Sequence, residues 1–280
     1  MGLINSWCGA KPHTIIGLSP TPSNKGKNKM TEKMKNKVLP AITGLILLIS
    51  SNISAQLTGD EILDRIDRNI SSETRYYEAK MIIHGTRGSR TVEFNSWSES
   101  DTKAYTEYTN PAREKGTKML KLEDKLWIYS PGTDRTIQIT GHMLKQSVMG
   151  SDLSYEDLME DTKLTDVYDS ELTGTEVFND TECYVVDLVA NNSDIAYQMR
   201  KIWVDRNRFV PLKEELYAKS GKLLKRTEMS MIERIEGRWY PRKVIFKDML
   251  KRGDGTEFIV DNIDFNVDIP DYLLDKAALR

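Results

Sequence analysis

Apolar residues in this chain recur with a period of two over most of its length. Tyr77, Ala79, Met81 and Ile83 alternate with Glu78, Lys80 and Ile82, residues 85–89 supply a glycine-containing turn, and Val92 and Phe94 resume the alternation. Residues 101–109 continue it. Met119, Leu120 and Leu122 then precede a polar turn at Glu123 and Asp124, and Leu126, Trp127, Ile128 and Tyr129 follow it. Pro131, Gly132 and Asp134 provide the next turn, after which Ile137 and Ile139 alternate with polar neighbours. Further strands are predicted at 183–190, 196–204, 211–217, 223–235, 239–248 and 256–266, joined by short polar connections. The early strands are not apolar on both faces, which suits an antiparallel sheet with one wet face and not a parallel α/β core. Strands of about 8 to 12 residues exceed the usual length and favour a curved sheet that wraps a cavity.

Three stretches depart from this alternation. Residues 57–70 carry a capping box, Thr58 with Glu61, and one apolar stripe of Ile62, Leu63, Ile66 and Ile70, the pattern of a helix packed on the sheet. After Gly141 the spacing turns helical at Met143, Leu144, Ser147 and Val148, and a second short helix can begin at Ser154 with Asp157 behind it. Pro270 and Asp271 open a last short helix that has Tyr272, Leu273 and Leu274 to bury. The middle stretch is rich in methionine (Met143, Met149, Met159), and flexible, polarisable side chains suit a surface that repacks around varied apolar ligands. Residues 141–161, with Gly141 and Gly150 as hinges, are therefore read as a lid.

The amino-terminal region reads as targeting sequence. Residues 1–33 form an upstream extension whose first six residues match a myristoylation pattern. A secretory signal follows at 34–55, its lysine-rich start at Lys33, Lys35 and Lys37, an apolar run over 38–49 and a cleavage site before Gln56. The apolar run is about a dozen residues and contains Pro40, short of the roughly 20 that span a bilayer. Export and cleavage are therefore expected, leaving one domain over 56–280. The first 55 residues hold seven lysines and one glutamate, so the remainder carries 33 basic and 41 acidic residues, a formal charge of −8 where the whole chain has −2. An acidic exported domain is a poor partner for nucleic acid or for a surface of anionic lipid headgroups. Cys183 is then its sole cysteine, which leaves no intrachain disulfide.

Converging catalytic groups are scarce. Beyond residue 55 the histidines are His84 and His142, and a His142, Ser147 and Asp152 triad lacks the strand-turn-helix setting of a nucleophile elbow. The acidic run of Asp152, Glu156, Asp157, Glu160 and Asp161 lacks calcium-loop spacing and reads as a solvated helix face. Without a phosphate loop, paired metal histidines or CxxC, neither metal nor cofactor is called for, and a non-enzymatic role is expected.

The segment Leu126-Trp127-Ile128-Tyr129-Ser130-Pro131, then Arg135, then residues 150–158 (Gly-Ser-Asp-Leu-Ser-Tyr-Glu-Asp-Leu), resembles the LolA-like family of outer-membrane lipoprotein-sorting proteins. The resemblance implies an incomplete, strongly curved antiparallel β-barrel with helices over its concave face, and periplasmic carriage of a lipid or of a lipoprotein's acyl chains. Its partners would be the acyl chains, an inner-membrane exporter and an outer-membrane receiver. The residues expected to contact lipid are Met81, Ile83, Val92, Phe94, Trp127, Met143, Val148, Met149, Leu153 and Tyr155. Proteins of the family close their lid with an arginine that bonds backbone, and no motif places that residue here. A lipid sensor on the same half-barrel is the alternative, and an exported hydrolase a distant third.

Overall fold

The computed structural model describes residues 57–279 apart from Arg87 and residues 160–162. The upstream extension and signal peptide lie outside these residues, as do Glu160 and Asp161. Helix α1 (Gly59–Ile70) comes first, with the Thr58–Glu61 capping box formed in both directions. Six strands follow: β1 (Thr74–Gly85), β2 (Gly88–Glu99), β3 (Lys103–Asn110), β4 (Lys118–Leu122), β5 (Lys125–Ser130) and β6 (Arg135–Ile139). Residues 140–167 hold two short 3-10 turns (Gly141–Lys145 and Val148–Gly150), α2 (Tyr155–Met159) and α3 (Leu164–Val167). Seven strands complete the sheet: β7 (Tyr168–Phe178), β8 (Thr181–Ala190), β9 (Met199–Asp205), β10 (Pro211–Tyr217), β11 (Leu223–Ile235), β12 (Arg238–Asp248) and β13 (Gly255–Phe265). Two 3-10 turns (Asp271–Leu274 and Lys276–Leu279) end the chain.

All described strands join one antiparallel sheet in the order β6-β5-β4-β3-β2-β1-β13-β12-β11-β10-β9-β8-β7. It is two meanders fused where β1 pairs with β13. The sheet stays open, and it curls: α1 packs against both β12 and β7, five places apart in strand order. Register breaks at Glu78/Ala79 and at Leu172/Gly174 supply bulges that bend the strands. Gly59 allows the close approach of α1 to β7, because a Cβ there would stand 2.9 Å from the Ser170 Cβ. On the concave face Ile62, Leu63, Ile66 and Ile70 of α1 share one apolar cluster with Met81, Val92, Phe94, Val244 and Phe246. Arg200 and Glu214, both fully buried, pair at 3.2 Å in β9 and β10.

The convex face has its own core. Tyr76, Trp97, Tyr105, Leu120 and Trp127 are successive cross-strand neighbours from β1 to β5. The carboxy-terminal turns cover much of this row through Leu273, Leu274 and Leu279, and Lys118 Nζ donates to the Ala278 carbonyl at 2.7 Å.

Two expectations need correction. No element was expected between residues 163 and 182, where α3 and β7 occur. β7 is an edge strand whose outer half is exposed, so it lacks the buried alternation that marks its neighbours. Its turn was the available signal: Asn179 and Asp180 take φ of 46° and 60°, the paired left-handed conformation of a two-residue hairpin. The stretch after Gly141 forms 3-10 turns rather than an α-helix: Gln146 and Ser147 adopt extended ψ of 152° and 132°, which ends the first turn, and Met149, with φ of 49°, interrupts the second.

Candidate functional site

Strand order dictates what lies over the concave face. β6 and β7 are the two edges of the sheet yet follow each other in the chain. Residues 140–167 must therefore cross from one edge to the other. The described residues among them, 140–159 and 163–167, form a strap, and Val148, Leu153 and Leu164 press it into the main apolar cluster.

Polar contacts tie the strap down at three places. The Asp152 carboxylate accepts from the Asp248 amide at 3.0 Å and from the Thr256 hydroxyl at 2.9 Å, while the same hydroxyl accepts from the Asp152 amide at 3.0 Å. Beside it Lys251 Nζ donates to the Ser151 carbonyl at 2.7 Å. Asp157, 1% exposed, pairs with the Lys225 ammonium and accepts from the Tyr197 hydroxyl and the Ser154 amide, each at 2.6 Å. Burial by itself would push the Asp157 carboxyl up, but Lys225, with the bonds from Tyr197 and Ser154, outweighs it and holds the group below the usual carboxylate range. The third tie is Lys121 on β4, whose ammonium donates to the Leu158 carbonyl at 3.5 Å and to the Asp101 carbonyl at 2.9 Å. Asp152 and Asp157 are thus buried fasteners, correcting the reading of this acidic run as a solvated face. Ser154 and Asp157 also form a reciprocal capping pair at the start of α2, Asp157 accepting from the Ser154 amide and its own amide donating to the Ser154 hydroxyl.

Beneath the strap lies a cavity of about 80 Å³ over β1–β5. Four of the residues expected to contact lipid line it: Met81 and Phe94 from the sheet, Val148 and Leu153 from the strap. Ile83 and Val92 sit in the surrounding apolar cluster, fully packed, and Met143, Met149 and Tyr155 lie half-buried on its rim. Trp127 falls on the other side of the sheet, its ring 4.0 Å below Lys276 Nζ, because period two sends its neighbours Leu126 and Ile128 to the concave face instead. The cavity exists because β2 and β3 place four small side chains together, Ser96 opposite Thr106 and Ser98 opposite Ala104. Arg75, Lys121 and Asp101 stand at this end of it. Burial raises the Asp101 carboxyl, and Lys121 opposes that rise. The sequence reading missed this polar end.

The imagined triad is committed elsewhere. Ser147 Oγ accepts from Lys251, both Asp152 oxygens are engaged as above, and His142 is exposed. Cys183 is buried in a small convex cluster with Val185, Trp203 and Leu212, and burial pushes its thiol up to about 11. Among the described residues no group of three His, Cys, Asp or Glu side chains could hold a metal ion, and no helix is long and apolar enough to cross a membrane.

Comparison with known proteins agrees with this architecture. A DUF1329 family protein from Desulfovibrio piger superposes with a TM-score of 0.70 at 26% identity, over 79% of this chain and 98% of that one. A putative outer membrane lipoprotein-sorting protein domain from Vibrio parahaemolyticus gives 0.68 at 22%, over 79% and 97%. A LolA superfamily protein from Nitrosomonas europaea gives 0.66 at 23%, over 80% and 100%. The fold is LolA-like. Among curated proteins none matches the chain in sequence. A family model described as that of an uncharacterized protein matches residues 100–280, and the chain belongs to that family.

Proposed function

We propose that this LolA-like half-barrel is an exported, non-enzymatic carrier that shields the acyl chains of a lipid or lipoprotein beneath its strap. The observation that carries the reading is the strap itself. It crosses the whole sheet, buries apolar side chains on the inner face, and closes a cavity lined by Met81, Phe94, Met119, Val148 and Leu153. At about 80 Å³ that space is far below the roughly 300–1,000 Å³ of pockets that take small molecules, so it corresponds to a closed form. Lifting the strap would expose the sheet beneath it. Affinity would come from burial, about 0.8 kcal/mol for each methylene, and no bond need be made or broken. Release would come from the strap closing or from a receiver that offers more apolar contact. The Asp157–Lys225 pair, the Asp152 bonds to Asp248 and Thr256, and Lys121 donating to the Leu158 carbonyl would together hold the closed form. An inner-membrane exporter and an outer-membrane receiver would be the partners of such a carrier.

Ala104 offers the sharpest test, being small, only half-buried and part of the cavity floor. Native mass spectrometry of the protein from its own envelope fraction should reveal an acyl-bearing ligand. Ala104→Phe should lose that ligand and fluorescent fatty-acid binding while melting within a few degrees of the parent. A ligand-free parent that also ignores fatty acids, or an Ala104→Phe protein that binds normally, would overturn the reading.

A further inference from the structure

Met249 and Leu250 open the turn between β12 and β13, and they are 38% and 60% exposed. Among the described residues no other two large exposed apolar side chains are neighbours in sequence. The turn is built rather than loose. The Leu250 amide donates to the Asp248 carboxylate at 2.9 Å, the Lys251 amide to the Asp248 carbonyl at 3.1 Å, and Lys247 Nζ to the Lys251 carbonyl at 2.9 Å. An apolar pair held outward at a hairpin tip marks a contact surface. Cations surround it. Lys251 and Arg252 follow in the same turn, and Lys219 and Lys222 lie in the β10–β11 turn beside it, since the Met249 amide donates to the Leu224 carbonyl at 2.9 Å. Lys145 of the strap lines one cleft with Leu224, Leu250 and Lys251. The acids here are buried Asp152, Asp248, which pairs with Lys251 at 3.7 Å, Asp254 and Glu156. Among the described residues Lys145, Lys219, Lys222 and Arg252 pair with no carboxylate.

We propose that this tip docks the protein on an anionic lipid bilayer, with Met249 and Leu250 entering the acyl boundary and the surrounding lysines and Arg252 meeting lipid phosphates. Apolar side chains at that boundary and cations drawn to its negative potential reinforce each other. The formal charge of −8 beyond residue 55 argues against such a surface only if it is spread evenly, and it is not. Acidic turns crowd the other end of the sheet: Asp101 after β2, Glu123 and Asp124 after β4, Asp180 after β7 and Glu236 after β11. β12 has 11 residues, so that end is about 35 Å away along the strands, roughly four screening lengths at physiological salt. The local cations therefore decide the contact. The same turn also holds the strap, through Lys251 Nζ to the Ser151 carbonyl and the Asp248 amide to Asp152. A lipid phosphate drawing on Lys251 would loosen one of these bonds at the membrane surface. The inference stands apart from the acyl-chain reading, because vesicle binding is measured without a carried ligand.

Flotation tests this, using the chain from Gln56, which holds every described element, and vesicles of phosphatidylcholine alone or mixed with phosphatidylglycerol. Partitioning should be at least about tenfold stronger on the mixed vesicles and should weaken as salt is added. Leu250→Asp, and Lys219→Glu with Lys222→Glu, should each lower it at least about tenfold while melting as the parent does. Val177→Asp changes an exposed apolar residue near the far end of β7 and should leave binding unchanged. An environment-sensitive fluorophore on Leu250→Cys, with Cys183 buried, should brighten on the mixed vesicles. Binding that ignores phosphatidylglycerol, or that Leu250→Asp leaves undiminished, would overturn the proposal. No binding to mixed vesicles would overturn it and leave the tip to a protein receiver. A fluorophore that stays dim on vesicle-bound protein would overturn it as well, even where a charge variant folds poorly.

Discussion

If the strap is a separate, fastened element, loosening one fastener should release it without unfolding the sheet. Asp157→Asn is the cleanest perturbation. It removes the negative charge facing Lys225 at nearly constant volume and leaves one acceptor oxygen, which can take the bond from Ser154 or from Tyr197 but not both. Breaking a buried ion pair by removing one partner costs about 3–5 kcal/mol. Lys225 is 11% exposed and can turn partly to water, so the lower end, about 3 kcal/mol, applies. At 1.36 kcal/mol per decade that is about a hundredfold in the opening equilibrium of the strap. Hydrogen exchange reads this directly. The Val148 amide bonds the Leu153 carbonyl at 2.8 Å and the Tyr155 amide bonds the Gln146 carbonyl at 3.1 Å, so both should exchange about a hundredfold faster. Amides of β1 and β2 should keep their rates. A pH arm adds an independent check. The Asp157 carboxyl is depressed in the folded state, so its contribution is complete above the unfolded value near 4 and disappears as pH falls through the folded value. Strap protection in the parent should therefore drop on acidification below about pH 4, and Asp157→Asn should be flat through that window. Unchanged exchange at Val148 and Tyr155, or a uniform loss across every strand, would refute the idea of an independently fastened strap.

Other outcomes follow from the same structure. The Asp67 carboxyl on α1 is pushed up to about 7, chiefly by burial and further by Asp64 and Asp166 against Lys163. A raised carboxyl costs stability as pH climbs from the unfolded value near 4 to about 7, so Asp67→Asn should raise the melting temperature at pH 8 and not at pH 4. After allowance for its partial exposure this amounts to roughly 1–2 kcal/mol. Native Cys183, buried and with its thiol pushed up to about 11, should react with an aromatic disulfide reagent at pH 8 only after denaturant is added; rapid labelling of native protein would show that its cluster opens.

The sheet was legible in the sequence because its inner strands alternate cleanly, and 211–217 and 223–235 were predicted to the residue. Which face of a strand looks inward was harder. In β4, Met119 and Lys121 face the cavity while Leu120 faces the convex row, and period two alone cannot tell these apart when both faces are covered. The carboxy-terminal turns cause that ambiguity by supplying a second core, and Trp127 was assigned to the wrong face for this reason. Buried charges hide equally well. Lys80, half-buried beside Asp261, and Lys121, enclosed under the strap, occupy similar patterns, and only tertiary packing separates them. The start of the strap and the helix within it were legible from Gly141 and the Ser154–Asp157 cap, but its span from edge to edge follows from strand order, which no local pattern encodes.

That strand order also bears on how a carrier of this kind would load. The strap is anchored at both ends to opposite edges, so it cannot swing away as a hinged flap does; it lifts from the middle, where Asp152, Asp157 and Leu158 hold it. One such fastener is worth about 3 kcal/mol. Burying about four methylenes at 0.8 kcal/mol each offsets it. The first few carbons of an entering chain would thus compensate for one fastener, and the remaining carbons would supply net affinity only after the others yield. A tail too short to offset all three should bind weakly, and each added methylene beyond that length should strengthen binding until the floor between β1 and β5 is filled. Affinity measured against chain length should therefore rise steeply from a threshold rather than evenly from the shortest ligand.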